Sequence, residues 1–109
     1  MKELQETSNE HIDSIHLNNT SNPIDGKDTK YLGERIGKCV TLTSLNLNLR
    51  GNRIDGNGAK YLGEGIAKCV ALASLDLNLD RNYFGENGGK YLWEGIAKCS
   101  TLTSLNLSL

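Results

Sequence analysis

The chain has 109 residues, with 12 basic and 13 acidic side chains and a net charge of -1. That length builds one small domain, and the charge balance argues against a nucleic-acid backbone as partner. No apolar run approaches the roughly 18 residues a membrane-spanning helix needs, and the polar, acidic start does not read as a secretory signal.

Residues 1–13, MKELQETSNEHID, read as a polar extension. From Ser14 onward the sequence repeats itself without gaps at a period of 30. The units are 14–43, 44–73 and 74–103, and SLNLSL at 104–109 opens a fourth. The second and third units agree at 18 of 30 positions, so one supersecondary unit is stacked on copies of itself.

Each unit begins with a strand. Leu45, Leu47 and Leu49 alternate with Asn46 and Asn48, the period of a strand with one buried face. Asp55-Gly56-Asn57-Gly58 then reads as a turn, with Gly58 entering the helix. Asp55 and Asn57 both qualify chemically as its N-cap. Ala59, Leu62, Ile66 and Cys69 follow at helical spacing, within about 80° of one another on the helix wheel. Lys60, Glu64 and Lys68 lie on the opposite side at i, i+4 spacing. The expected core is Leu45, Leu47, Leu49, Ile54, Leu62, Ile66 and Leu72, with their counterparts in the third unit. Parallel strands stack about 4.8 Å apart and helices about 10 Å apart. That mismatch predicts an α/β solenoid, with a curved parallel sheet inside and helices outside.

The spacing Leu42-x-x-Leu45-x-Leu47, Asn52, Ile54, Gly58, Leu62, Ile66 recurs at Leu72, Leu75, Leu77, Asn82, Phe84, Gly88, Leu92 and Ile96. It recurs more weakly at Ile12, Ile15, Leu17, Asn22, Ile24, Leu32 and Ile36. These residues resemble a leucine-rich repeat of the ribonuclease-inhibitor type. They are similar to long repeat arrays of single-celled eukaryotes and of NOD-like receptors. The period is longer than the family's usual one, and the strand gains an alternation at Leu49 and Leu79. In this family the column Asn22, Asn52, Asn82 serves the turn out of the strand, where backbone groups lose their ladder partners.

Candidate chemistry is sparse. Cys39, Cys69 and Cys99 form one column on the buried helix stripe, and read as small buried thiols. A ladder diverges, whereas a zinc site needs ligands converging on one point. Three free thiols point to a reducing compartment, hence a cytoplasmic protein. His11 and His16 have no periodic acidic partner. No phosphate-cradling loop, metal signature or nucleophile motif occurs. The expectation is a non-enzyme without cofactor or metal.

The solvent face of the sheet remains. Its columns are Ser14/Ser44/Ser74/Ser104, His16/Asn46/Asp76/Asn106, Asn18/Asn48/Asn78/Ser108 and Thr20/Arg50/Asp80. The fourth varies most in charge and size, and Tyr83 stands just beyond it where earlier units have Pro23 and Arg53. Hot spots favour Tyr and Arg. The expected partner-binding residues are Arg50, Asp76, Asn78, Asp80 and Tyr83, contacting a protein on the concave face. The resemblance implies a protein-interaction module. Its alternatives are a GTPase-activating regulator resembling Ran GTPase-activating protein, or a self-assembling structural repeat.

The helix flanks carry one more signal. One flank reads Gly33, Gly63, Trp93 and the other Arg35, Gly65, Gly95. Glycine inside a helix costs about 1 kcal/mol against alanine, and close helix approach is a sufficient reason for it. The first flank is expected to face the next repeat and the second the previous one. Trp93 then lies at the open C-terminal end with Leu105, Leu107 and Leu109, the expected self-association residues.

Overall fold

A computed structural model describes residues 12–20 and 24–109. Strand and helix alternate through it. Strand β1 (Ser14–Asn18) is followed by helix α1 (Gly26–Gly37), β2 (Ser44–Asn48), α2 (Gly56–Ala67), β3 (Ser74–Asn78), α3 (Gly85–Ile96) and β4 (Ser104–Ser108). The fold is α/β. The four strands form one parallel sheet in the order β1-β2-β3-β4. Their register is unshifted, Ser14 pairing with Ser44, Ser44 with Ser74 and Ser74 with Ser104. Parallel neighbours need a crossover between them, and each helix supplies one. His11, Asn22, Pro23 and most of the 1–13 extension lie outside the described residues.

Alternation along each strand sends Leu45, Leu47, Leu75 and Leu77 into the core, where they meet Leu62, Ile66, Leu72 and Leu92 from the helical side. Every expected core residue of the second unit is buried. In the third unit Phe84 and Leu102 are only partly covered, because no further unit packs over them in the described chain. The extra alternation is real: Leu49 N–H donates to Asn78 at 2.9 Å and Leu79 N–H to Ser108 at 2.7 Å. Both leucines are buried one residue beyond the strand proper.

The Asp-Gly-Asn-Gly segment is not a separate turn. Helix α2 begins at Gly56, and Asp55 is its N-cap, its carboxylate accepting from Gly58 N–H at 2.8 Å. That bond satisfies a donor the first turn leaves open, and it draws the segment into the helix. Asp25 caps α1 in the same way and closes a capping box with Asp28. Helix α3 has Gly85 where the cap aspartate stands, and no side chain caps it. Gly51, at the bend out of β2, has φ of 71°, and Arg81 holds the same left-handed position after β3 at 59°.

The asparagine column closes the sheet's exit. Asn52 is buried; its Oδ1 accepts from Ile24 N–H at 3.0 Å, and its Nδ2 donates to Asn19 at 2.8 Å and Leu49 at 2.9 Å. Asn82 repeats the pattern one unit on, with Ile54, Leu49 and Leu79. Each amide thus ties one unit to the one before it.

Glycine sets the helix spacing. A Cβ at Gly33 would overlap the carbonyl oxygen of Tyr61, and one at Gly63 that of Tyr91. On the other flank, a Cβ at Gly65 would overlap the Gly33 carbonyl and one at Gly95 the Gly63 carbonyl. The flank of positions 33 and 63 therefore faces the following helix, and the flank of 65 and 95 faces the preceding one. Backbone-to-backbone contact of this kind leaves no room for any side chain.

Candidate functional site

The even residues of each strand stand on the sheet face turned away from the helices. Neighbouring units place like with like: Asp76 lies beside Asn46 and Asn106, and Asn78 beside Asn48 and Ser108. Asp76 and Asn78 come from β3, Asp80 from the bend that follows, and Arg50 from the equivalent bend after β2. The close register of the two bends is held by Gly51 N–H, which donates to the Asp80 carbonyl at 2.9 Å. The five expected residues are thus carried by two adjacent units.

Their availability differs. Arg50 is exposed, while Asp76, Asn78 and Asp80 are half-buried along the sheet. Tyr83 is 77% exposed, the largest exposure among the described large hydrophobic side chains. Its backbone is fixed, N–H to the Ile54 carbonyl at 2.9 Å, so an ordered loop holds the ring at the rim. Asn78 has a structural duty that the alternation does not reveal. Its Oδ1 accepts from Asp80 N–H at 3.0 Å, as Asn48 does from Arg50 N–H at 3.3 Å. These short side-chain caps turn the chain out of the strand. His16 stands exposed on β1 in register with Asn46. Among the described residues, no group of three or more His, Cys, Asp and Glu side chains is placed to hold a metal ion.

Cys39, Cys69 and Cys99 are free and buried. Their thiols join the repeats. Cys69 Sγ donates to the Ile36 carbonyl at 3.5 Å and Cys99 Sγ to the Ile66 carbonyl at 3.4 Å. Burial pushes all three thiols up, and Cys69, which also feels Cys99 and Cys39, is pushed up to about 12. The folded state therefore keeps protonated what the unfolded chain ionises. Stability from this source is intact below pH 9.0, the ordinary thiol value, and is lost as pH climbs from there toward 12. At pH 8 a thiol reagent should label the native chain no faster than it opens, and label all three sites at once in denaturant. Rapid native labelling would contradict the buried column.

The helix side holds a feature that the strand-face columns do not announce. A groove of about 650 Å³ runs across all three helices, lined among others by Lys60, Tyr61, Glu64, Tyr91, Glu94 and Lys98. It exists because Gly33, Gly63, Gly65 and Gly95 bring no side chains to the helix seams. The glycine columns are the sequence signal for it. Lys30 and Lys60 lie over the rings of Tyr61 and Tyr91, each 5.7 Å from the centroid, so the groove walls are knit by cation–π contacts.

Apolar side chains are also exposed at the C-terminal end of the described residues. Trp93 is 49% exposed, Leu105 42% and Leu109 45%, with Leu107 half-buried beside them. No helix of the described residues is long and apolar enough to cross a membrane. No family model, curated protein or solved structure matches the chain.

Proposed function

We propose that this chain is a leucine-rich repeat solenoid and acts as a non-enzymatic protein-interaction module, binding a protein partner on the concave, helix-free face of its sheet. The observation that carries the reading is the character of that face. It is polar throughout, laid out in straight columns by the unshifted register, with Arg50 and Tyr83 exposed at one side. A rigid sheet of this kind offers area and directional hydrogen bonds without an enclosed pocket for chemistry. Arg50 and Tyr83 supply the anchors, since long planar side chains gain most from desolvation at an interface centre. Asp76 and Asp80 add acceptors for basic or amide groups of the partner. Asn78 adds its amide donors.

The test starts from a protein captured by the immobilised chain from extract and then purified. Replacing Arg50 and Tyr83 together by Ala should weaken its binding by about a hundredfold, the loss expected of two hot-spot truncations, with the thermal midpoint unchanged. Replacing Lys60 and Glu64 on the helix face should leave the Kd alone. The opposite pattern, an unchanged Kd for the sheet-face variant and a weakened one for the helix-face variant, would place binding in the glycine-lined groove.

A further inference from the structure

The two ends of the stack are not interchangeable, and the C-terminal end has a specific shape. Between α1 and α2, and again between α2 and α3, the joint is glycine against backbone. The position that is Gly33 and Gly63 in those joints is Trp93 in α3. Where even a Cβ would overlap the next helix, an indole excludes one in that pose. A second copy stacked head to tail meets the same obstacle from its own side. Its α1 would present Arg35 where α2 and α3 present Gly65 and Gly95. Continuation of the stack in its own geometry is therefore blocked on both surfaces.

The edge strand, by contrast, is complementary to itself. Residues 104–108 of β4 read Ser-Leu-Asn-Leu-Ser, the same in both directions. Ser104 N–H donates to Ala73, and the Ser108 carbonyl accepts from Leu79. Backbone groups of a strand alternate in direction, so 104, 106 and 108 face β3, while Leu105 and Leu107 present theirs to the open edge. Two β4 strands set antiparallel about a two-fold axis through Asn106 would bring Leu105 opposite Leu107 of the second copy. Each such pair exchanges both of its outward N–H···O=C bonds. Alternation keeps the leucines of both copies on the helix side and the serines and asparagines on the other. The two Trp93 rings, on the flanks that face this end, would fill the space between the two α3 helices.

Charge agrees with that arrangement. Edge strands are ordinarily protected by Lys, Pro or inward charges, and β4 carries none. Its central residue is Asn106, where β3 has Asp76; an amide can pair with its own copy across a two-fold axis and a carboxylate is repelled by it.

We propose that the C-terminal end is a symmetric self-association surface, joining two copies through antiparallel β4 strands with Asn106 on the axis and Trp93 of each copy closing the helix layer. The interface is isologous and closed, so assembly stops at two.

Light scattering across a concentration series from micromolar to millimolar should show the mass rise from 11.9 kDa to twice that value and no further. Asn106 sits at a non-hydrogen-bonded antiparallel position, where Cα atoms approach to about 4.5 Å, within reach of a disulfide. Asn106→Cys should therefore form a covalent dimer under mild oxidation. Ser104→Cys should not, because its nearest copy lies opposite 108, whereas Ser104→Cys combined with Ser108→Cys should. The buried native thiols do not compete. Trp93→Gly should weaken the dimer about tenfold or more. A mass fixed at 11.9 kDa, equal cross-linking at 104 and 106, or growth beyond two copies would each overturn the proposal.

Discussion

Leu77→Ala should lower the free energy of unfolding by about 2–5 kcal/mol, read as a shift in the denaturant midpoint at constant m-value. Leu77 is fully buried on β3, between Leu47 on β2 and Leu107 on β4. Removing it deletes the transfer free energy of the side chain and leaves a cavity that two flanking strands, hydrogen-bonded in fixed register, cannot collapse. A small domain holds little more than this in total, so the variant should be partly unfolded near physiological temperature. Leu107→Ala is the internal comparison. It occupies the same column on the half-covered edge strand, and should lose less than half as much. Equal losses at the two sites would mean that the edge is as well packed as the centre; an unchanged midpoint for Leu77→Ala would overturn the assignment of inward and outward faces.

Asn52→Ala should cost about 3 kcal/mol or more, although it removes a side chain with no apolar surface to bury. The amide satisfies Ile24 N–H and the carbonyls of Asn19 and Leu49, and the Asn52 side chain is itself buried. A single hydrogen bond contributes about 1 kcal/mol net, whereas a buried group left without a partner costs about 1–3 kcal/mol. Three bonds are lost here and the Ile24 N–H is left without its acceptor, whereas the Leu49 carbonyl keeps the Asn82 amide. Hydrogen exchange separates this cause from a general loss of stability. The Ile24 amide should lose protection in Asn52→Ala while the amides of β3 keep theirs. Asn82→Ala removes the equivalent bonds at a half-buried position where water can substitute, and should be milder.

These two residues also mark how far the chain could be read without its structure. Leu77 and its column follow from period-two alternation repeated in phase, because only one sheet face can be buried. Asn52 follows from its place at the strand exit, although the partners of its amide, Asn19 in one unit and Ile24 beyond it, are contacts between residues about one repeat apart. The face of Arg50, Asp76 and Asp80 was legible by the same alternation, and Tyr83 by its place where earlier units have Pro23 and Arg53. The commitment of Asn78 to the Asp80 amide was not, since it depends on the rotation of one side chain at a bend.

The amino-acid sequence by itself determined the order of strands and helices, the register at one repeat, the buried columns and which flank of each helix meets which neighbour. The first three follow from local periodicity, which a repeat reports three times, and the flanks from where Arg35 and Trp93 interrupt the glycine columns. Only the tertiary structure decided where each helix begins, because Asp55 draws Gly56-Asn57-Gly58 into the first turn through a bond that competes with an independent turn of similar local preference. It also decided that the helices touch backbone to backbone and open a groove on their outer side, since glycine at a seam is compatible with close approach, with flexibility or with a bend. And it decided which side chains of the last described unit stay exposed, Trp93, Leu105 and Leu109 among them, because burial depends on contacts between units that no single unit contains.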